Sequence, residues 1–480
     1  MATTDVPARM DRLPWSRWHW TVLIGLGTVW ILDGLEVTIV GALGQRLTDP
    51  AGGLHLSETQ VGLAASCYVA GAVLGSLGFG YLTDRLGRKK LFLVTLALYL
   101  TATVLTAFSF TPIWFFIMRF FTGAGVGGEY AAINSAIDEL VPARLRGRID
   151  LLVNGSYWLG AAAGAALTLL LLNPGLFAEN LGWRLAFGLG AVLGVGILVV
   201  RRNVPESPRW LFTHGRAADA DKLVGDIERQ VSEQTGERLE PVRDTIEVHE
   251  RGSIGFGAVA RTLLKTYPRR TLLGLGLFVG QAFLYNAVYF TQALVLAKFF
   301  GISGASVGGW LIPLAVGSLA GPVLLGRLFD TVGRKTMIAI SYLGSGVLLV
   351  GTGVLFQQQL LSATTLTIAW SGVFFLASAG ASAAYLTVSE IFPLEIRAMA
   401  IALFYSVGTG LGGIIGPVLF GGLVDTGSTT LVAAGYYLGA VMMMGGGVLE
   451  LLIGVEAAQR SLEDIASPLS AEEPAPRQAA

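Results

Sequence analysis

Two carboxylic acids lie inside a long apolar stretch near the start of the chain. Residues 29–41 read VWILDGLEVTIVG, and Asp33 and Glu36 are the charged residues in it. Residues three apart in a helix share one face, so we expect both acids to point the same way. Acids among apolar groups are costly and often mark a site that handles protons or ions. The alternatives are a capped or broken helix end, or a structural pair with a neighbouring side chain.

Arg119 is the basic residue that can neutralise these acids. If the apolar runs cross a membrane, Arg119 lies ~7 residues, or ~10 Å, from the outer end of another such run, 112–137. Asp33 lies at a similar depth in its own run, so we expect opposite charges to meet there. Glu129 lies farther along the run of Arg119. It could relay a proton, belong to an inner gate or form a structural pair.

Long apolar runs make up most of the sequence. Of the 480 residues, 53% are hydrophobic and 14% are charged, whereas soluble proteins carry about 25% charged residues. Each run approaches the ~20 residues that cross the hydrocarbon core of a bilayer. The runs lie at 20–43, 61–82, 91–110, 112–137, 149–172, 183–200, 271–297, 305–328, 336–356, 364–388, 398–424 and 429–455. We therefore predict an all-α membrane protein with twelve transmembrane helices in two pseudo-symmetric six-helix bundles.

The placement of basic residues predicts the orientation of these helices. With the amino terminus in the cytoplasm, all 33 Lys and Arg fall on the cytoplasmic side except Arg46, Arg119, Arg184 and Lys298. This asymmetry is the positive-inside pattern, and it makes both termini cytoplasmic. We expect a multi-pass protein of the plasma (inner) membrane. Its predicted parts are a cytoplasmic amino terminus (1–19), a first bundle (20–202), a cytoplasmic linker with short helices (203–269), a second bundle (270–457) and a disordered cytoplasmic tail (458–480).

The sequence also excludes several kinds of site. The single cysteine, Cys67, cannot form an intrachain disulfide or a cysteine-built metal site, and the four histidines show no ligand spacing. Neither a nucleotide-binding loop nor a nucleic-acid-binding basic patch is present, and no catalytic constellation indicates an enzyme. We therefore predict no cofactor and no metal. The predicted partners are a small-molecule substrate, protons and membrane lipid, with no nucleic acid, and the protein is expected to be a monomer.

Two charged segments recur in the two halves of the chain. GYLTDRLGRKK at 80–90 is similar to GRLFDTVGRKT at 326–336. ELVPARLRG at 139–147 is similar to EIFPLEIRA at 390–398. Because the two matches occur in the same order at nearly the same offset, they indicate a duplicated unit. Two related halves are what a transporter needs if it rocks about a central site.

The first of these segments resembles the cytoplasmic loop signature of the major facilitator superfamily. Features that resemble its sugar-porter branch are Arg119 with Gly123, Gly127 and Gly128, then Glu139, Pro142, Arg146 and Gly147, and PESPRWL at 205–211. DGLE at 33–36 more closely resembles the Asp-Gly-x-Asp pattern of aromatic-acid:proton symporters, and the broader group includes niacin symporters. The resemblance implies that an acid of the first helix and the arginine of the fourth form a proton switch. Whether Asp33 or Glu36 carries the proton stays open.

The resemblance also implies a role for the charges of the recurring segments. The simpler interpretation is a set of solvated topology anchors. The alternative is a cytoplasmic latch that bonds across the two halves when the protein faces outward. We favour the latch because the pattern recurs in both halves and switching needs a bistable interface. Its predicted members are Asp84, Arg85, Arg88, Glu139, Arg146, Asp330, Arg334, Glu390 and Arg397.

Polar and aromatic side chains in the second half and in the fifth run predict a substrate site. GQAFLYNAVYFTQ at 280–292 resembles a sugar-porter pattern of amides and tyrosines. Asn154 stands where sugar porters place a Gln, and Ser382 and Tyr385 stand where they have Pro and Trp, which counts against a hexose. Such groups suit hydroxyl or carboxylate recognition, although amides also bond between membrane helices. The predicted substrate-binding residues are Asn154, Tyr157, Trp158, Gln281, Tyr285, Asn286, Tyr289, Ser382 and Tyr385.

Together these features predict a secondary active transporter that carries a small polar organic solute with protons by alternating access. The solute is an organic acid or a sugar-like metabolite. DGLE favours the acid, whereas the lack of an obvious second intramembrane cation counts against strong anion selectivity. A facilitative uniporter or a sugar:proton symporter is an alternative. A transport-inactive sensor or interaction protein on the same fold is an alternative of another class.

Overall fold

Helices form nearly all of the described chain. The computed structural model describes residues 2–48, 54–173, 175–201, 205–242, 245–248, 255–302, 306–467 and 469. The helices of the first half and the linker are α1 (Val6–Asp11), α2 (Arg17–Thr48), α3 (Glu58–Leu86), α4 (Arg88–Ala107), α5 (Pro112–Leu140), α6 (Arg146–Gly155), α7 (Tyr157–Leu171), α8 (Glu179–Arg201), α9 (Pro208–Thr213), α10 (Ala217–Thr235) and α11 (Phe256–Arg261). Those that follow are α12 (Pro268–Val288), α13 (Gln292–Phe300), α14 (Val307–Thr331), α15 (Arg334–Gln357), α16 (Ala363–Ile391), α17 (Arg397–Asp425), α18 (Thr429–Ile453) and α19 (Leu462–Ile465).

Hydroxyl side chains cap the first turn of several of these helices. At the start of α3, Ser57 Oγ accepts a hydrogen bond from the Gln60 amide at 3.2 Å. Gln60 Oε1 in turn accepts one from the Ser57 amide at 2.9 Å, which completes a capping box. Beyond such caps, helical hydrogen bonding satisfies the backbone inside a single segment. Apolar surroundings demand this, because lipid offers the backbone no hydrogen-bond partner.

Nine helical segments of the described chain are long and apolar enough to cross a membrane. They are Arg17–Gly41, Gln60–Leu86, Arg88–Ala107, Pro268–Phe300, Val307–Thr331, Arg334–Gln357, Ala363–Ile391, Leu394–Asp425 and Thr429–Ile453. The other three apolar runs of the sequence also lie on helices, namely α5, α6 with α7, and α8. Helix α5 carries Arg119 and several acids, and the run that contains α6 and α7 is divided into two shorter helices at Ser156. The charged residues make α5 less apolar than the nine segments above, and the division at Ser156 makes the run of α6 and α7 less regular than they are.

A short antiparallel strand pair departs from the all-α prediction. Strand β1 (Ala2–Thr4) pairs with β2 (Ile246–Val248), with Thr3 opposite Glu247. Alternating side chains over three residues are too short a pattern to indicate a strand in the sequence. The pairing joins the start of the chain to the predicted linker.

The predicted disordered tail is ordered where the structure describes it. Residues Leu462–Ile465 form α19, and Leu462 and Ile465 are buried. Glu463 bonds to Arg209 of α9. The expectation of disorder from residue 458 is therefore wrong up to residue 467, because two apolar side chains and one ion pair dock this segment. Residues 470–480 lie outside the described part.

Helices of the first half pack closely because glycines remove side chains from the contact. Helices α3 and α5 pack along their length, and a Cβ atom at Gly71 would lie 2.0 Å from the Phe120 carbonyl oxygen. A Cβ atom at Gly123 would lie 2.0 Å from the carbonyl oxygen of Tyr68. These contacts place two cavity helices at backbone distance, as is common where small residues face each other in membranes.

The two halves of the chain meet along two sets of helices. On one side α17 packs against α3 and α5, and on the other α14 packs against α6 and α7. Helix α16 also contacts α6. The residues between these contacts enclose a cavity, described next.

Candidate functional site

A central cavity of about 410 Å³ lies between the two halves of the chain. Its lining comes from α2, α3, α5, α6 and α7 on one side and from α12, α16 and α17 on the other. Eleven of the residues predicted for proton coupling or substrate binding line it: Asp33, Arg119, Asn154, Tyr157, Trp158, Gln281, Tyr285, Asn286, Tyr289, Ser382 and Tyr385. The side chains singled out from the sequence therefore converge on one space, although they lie on six helices and one adjoining turn.

Asp33 is the acid that faces this cavity. Its Oδ1 accepts a hydrogen bond from the Tyr68 hydroxyl at 3.2 Å, and its Oδ2 accepts one from the Tyr130 hydroxyl. The side chain is almost fully buried. The ring of Tyr130 stacks on Trp30, with ring centres 4.4 Å apart, and meets the Tyr405 ring edge-on. Two phenols therefore hold the carboxylate in an aromatic surround at the cavity wall.

Glu36 is the acid that pairs with Arg119. Glu36 Oε1 lies 2.6 Å from Arg119 Nη1, and Glu36 Oε2 accepts a hydrogen bond from the Thr103 hydroxyl at 3.2 Å. Arg119 also lies over the Tyr68 ring, 4.5 Å from its centre. Tyr68 thus touches both Asp33 and Arg119. The two acids, which the sequence leaves equivalent, occupy different surroundings.

Tyr68 and Tyr130 are site residues that the sequence interpretation missed. Tyr130 follows Arg119 on α5 by about three helical turns, so helical periodicity places both on one face. That signal could have identified Tyr130. Glu129, its neighbour, is buried but lies outside the cavity lining.

Amide and aromatic groups form the rest of the cavity wall. Asn154 Nδ2 donates to Asn134 Oδ1 at 3.0 Å, so this amide bridges α6 and α5. The Tyr289 hydroxyl lies 3.2 Å from the Thr38 hydroxyl of α2, across the two halves. The Trp158 ring meets the Tyr289 ring edge-on at 5.1 Å. Some predicted substrate groups therefore also bond between helices, as amides and hydroxyls often do in membranes.

Buried ion pairs join the two halves of the chain on one side of the cavity. In the first half, Arg88 Nη2 lies 3.0 Å from Glu139 Oε1, and Arg397 of the second half lies 3.5 Å from the same oxygen. Asp84 Oδ2 accepts a hydrogen bond from the Met399 amide at 3.2 Å. Glu139 and Asp84 therefore both link α3 and α5 to the start of α17.

The second half repeats this arrangement. Arg334 donates to both oxygens of Glu390 at 3.1 Å and to Asp330 at 2.8 Å. Arg146 of the first half lies 3.8 Å from Glu390. Asp330 accepts hydrogen bonds from the Gly147 amide at 3.0 Å and from the next amide at 2.8 Å. Each half thus carries an Arg–Glu pair that an arginine of the other half approaches.

Arg85 is the one predicted latch residue placed differently by the structure. Its side chain is exposed, and its guanidinium lies over the Tyr81 ring, 4.1 Å from the centre. It follows Asp84 directly in the chain, so a helix points it to another face. Arg85 therefore lies apart from the buried ion pairs described above.

Two glutamates outside the prediction stabilise the recurring segments. Gly87 and Gly333 have φ angles of 96° and 117°, which favour glycine. Glu206 Oε1 accepts a hydrogen bond from the Arg88 amide at 2.9 Å, and Glu456 Oε1 accepts one from the Arg334 amide at 2.8 Å. Each carboxylate thus caps the start of a helix, where negative charge is favourable. The common spacing of 250 residues, from Glu206 to Glu456, could have revealed this pair.

Arg209 joins the linker to both ends of the chain. Its Nε donates to Glu463 Oε1 at 2.8 Å, and its Nη2 lies 3.8 Å from Asp11 Oδ2. Asp11 also lies 3.4 Å from Arg146. The amino-terminal and carboxyl-terminal segments therefore both dock beside the latch.

Replacing Glu463 by Gln is expected to loosen the docking of residues 458–467, at a cost of about 3 kcal/mol, because Arg209 stays buried without the carboxylate to which its Nε donates. Burial acts to raise the pKa of Glu463, but the charge and hydrogen bond of Arg209 outweigh it and leave that pKa below its ordinary value. The pair therefore stabilises docking above the ordinary carboxyl pKa of about 4.3 and loses this contribution as the pH falls below it.

Limited proteolysis of the purified protein at pH 7 measures the effect. The exposed neighbour Asp464, replaced by Asn, is the matched control. Equal cleavage of residues 458–467 in the Glu463 variant and in the control would contradict the expected role.

The chain matches known transporters over nearly its whole length. Residues 40–468 match the family described as sugar (and other) transporter. The niacin transporter NiaP of Acinetobacter baylyi is 27% identical over 417 residues, which cover 86% of this chain and 89% of the relative. The arabinose-proton symporter of Bacillus subtilis is 27% identical over 414 residues, which cover 82% and 85%.

Solved structures show the same fold. The proton:xylose symporter XylE of E. coli, bound to 6-bromo-6-deoxy-D-glucose, has a TM-score of 0.72 and 21% identity. The match covers 92% of this chain and 98% of that chain. XylE is a member of the major facilitator superfamily, and the arrangement of helices in this chain is similar to that in XylE.

Proposed function

We propose that this chain, which belongs to the sugar (and other) transporter family, is a proton-coupled symporter of a small polar organic solute. The family and the apolar helices make it an integral multi-pass membrane transporter and not an enzyme. The coupling proposal rests on one observation. Asp33 lines the cavity beside the buried pair of Glu36 and Arg119.

The proposed topology has twelve spans in two six-helix bundles. It adds α5, the pair α6 and α7, and α8 to the nine segments that are apolar enough by themselves. The recurring ion pairs support two related bundles, 20–202 and 270–457, joined by the linker 203–269. The placement of Lys and Arg by the positive-inside rule supports cytoplasmic termini and therefore a latch on the cytoplasmic side. We place the protein in the plasma (inner) membrane as a monomer.

The latch and the cavity together support alternating access. Ion pairs join the halves on the proposed cytoplasmic side. At the other end of the cavity, Gly41 and Phe290 line the wall and are exposed. These features support the proposal that the protein faces outward in this state. Rocking of one half against the other would break the latch and expose the cavity to the cytoplasm.

Different surroundings suggest different roles for the two acids. Glu36 is engaged by Arg119 at 2.6 Å, so it serves to neutralise and hold that arginine. Asp33 is held by the two phenols, faces the cavity, and is assigned as the proton carrier. Protonation of Asp33 would change its bond with Tyr68, whose ring Arg119 touches. This contact would link the proton to the rest of the switch.

The cavity favours a solute that binds without net negative charge. Among the lining residues in the described ranges, Arg119 is the one Lys or Arg, and Glu36 already neutralises it. A carboxylate solute would face Asp33 with no free cation in that lining. A sugar-like metabolite, or an organic acid carried with its proton, suits the amides and phenols of the wall. The names of the niacin and arabinose relatives span these two classes.

Uptake into proteoliposomes tests the proposal. A thermal-shift screen against sugars, polyols and aromatic acids, with arabinose, xylose and niacin included, first identifies a solute. We expect that solute to accumulate when the lumen is more alkaline than the outside. One pH unit provides about 1.4 kcal/mol and thus permits about tenfold accumulation per proton. A solute that only equilibrates across the membrane, with or without the pH gradient, would indicate a uniporter and overturn the proposed proton coupling. Failure of every solute to cross would favour the sensor alternative.

A further inference from the structure

Two buried acids lie between the cavity and the latch and have no role so far. Asp138 lies on α5 and Asp150 lies on α6, and both side chains are fully buried. In the part of the chain that the structure describes, no donor makes a hydrogen bond of normal geometry to an oxygen of either carboxylate. Such groups are costly unless they have partners or exchange protons. They therefore require an explanation.

The helix register places the two carboxylates opposite each other. Asn134 of α5 and Asn154 of α6 bond side chain to side chain at 3.0 Å, and these two helices run in opposite directions through a short connection. Asp138 lies one turn, about 6 Å, beyond Asn134, and Asp150 lies one turn before Asn154. Both turns lead away from the cavity, which Asn154 lines. The acids thus face each other directly below the cavity floor.

The surroundings connect this pair to the latch. The nearest neutral donors are engaged elsewhere, since the Ser389 hydroxyl donates to the Leu386 carbonyl and the Asn154 amide to Asn134 and to the Asp150 carbonyl. The charged groups facing Asp138 are Arg146 of α6, Glu390 of α16 and Arg397 of α17. Those facing Asp150 are Asp138 of α5, Glu390 of α16 and Arg334 of α15.

The second half shows that the fold does not require acids at these positions. The spacing of 251 residues that relates Glu139 to Glu390 places Ser389 at the equivalent of Asp138 and Ile401 at that of Asp150. Both equivalents are buried in the corresponding helices α16 and α17. The same packing therefore forms with a hydroxyl and an alkyl side chain. The two acids are a feature of the first half alone.

We propose that Asp150 and Asp138 form a proton relay that leads from the cavity to the cytoplasm. This inference rests on the proposed proton coupling. After the solute has left toward the cytoplasm, Asp33 releases its proton to cavity water, and the Asp150 carboxylate accepts it. Asp150 passes it to Asp138, and Asp138 passes it to cytoplasmic water through the latch, which is open in this state. Asp150 and Asp138 end as they began, Asp33 is left deprotonated and ready for the next proton, and one proton has crossed.

Net uptake and exchange, measured separately, test the relay. Asp150→Asn keeps near-native volume, and Asp138→Ser introduces the residue that occupies the equivalent position in the second half. We expect uptake driven by a pH gradient to fall about 100-fold or more, the effect of losing a proton-transfer group. Exchange of internal for external solute at equal pH should stay at the wild-type rate, because it requires no proton release. Asp138→Glu should restore part of the net uptake, and Ser389→Ala is the matched control.

The outcomes separate the relay from the coupling itself. Wild-type uptake that ignores the pH gradient overturns the proposed function. Gradient-driven uptake in the wild type that is unchanged in both variants overturns the relay alone. Loss of exchange together with net uptake in a variant that still binds solute by thermal shift also overturns it, because the acids would then serve the conformational change.

Discussion

Replacing Asp33 by Asn is expected to abolish accumulation driven by a pH gradient while exchange of solute across the membrane continues. The amide keeps the shape of the side chain, and its oxygen can still accept a bond from Tyr68 or Tyr130. It cannot bind and release a proton. The variant should therefore equilibrate the solute and lose the accumulation of about tenfold that one pH unit permits per proton. Solute binding should also lose its dependence on external pH.

Two further variants test whether the expected effect is specific to Asp33. Glu450→Gln changes a fully buried carboxylate of α18 that lies outside the cavity lining, and we expect normal accumulation. Glu36→Gln removes the charge that neutralises Arg119, so we expect weaker exchange as well as weaker accumulation. Proteoliposome uptake and counterflow measure both quantities. Gradient-driven accumulation that persists in the Asp33 variant would exclude Asp33 as the carrier, and its loss in the Glu36 variant alone would assign that role to Glu36.

Replacing Arg334 by Met is expected to open the cytoplasmic side of the protein. The closed latch would then hold Glu390 and Asp330 in buried positions without the arginine that donates to both. Breaking a buried pair in this way costs about 3–5 kcal/mol. The closed state should therefore lose population by a factor of about 100 to 4,000 relative to states in which these acids reach water.

Chemical labelling reports this opening. Ser76 of α3 is buried against α17, where its hydroxyl donates to the Ala402 carbonyl at 3.1 Å. With Cys67 replaced by Ser, a Ser76→Cys substitution provides a single thiol that separation of the halves would expose. We expect faster alkylation in the Arg334 variant and wild-type alkylation with Arg85→Met, whose side chain lies outside the ion pairs. Equal rates in the two variants would show that Arg334 does not hold the latch.

The sequence by itself determined the membrane character, the helical runs, the duplicated charges and eleven of the residues that line the cavity. Long apolar runs, charges inside them and repeated motifs are local features, and they persist whatever the helices contact. The segments GYLTDRLGRKK and GRLFDTVGRKT could therefore be related before any contact was known. The predicted substrate residues likewise converge on one cavity.

Only the tertiary structure decided which groups meet. It paired Arg119 with Glu36, gave Asp33 two tyrosines, and left Arg85 apart from the latch. It also set Asp138 opposite Asp150 through an amide pair one turn above. Each of these outcomes depends on how a helix is rotated about its axis and how closely its neighbour approaches. Periodicity along one chain segment gives the face of a residue, but the partner on that face is determined by packing between segments distant in sequence.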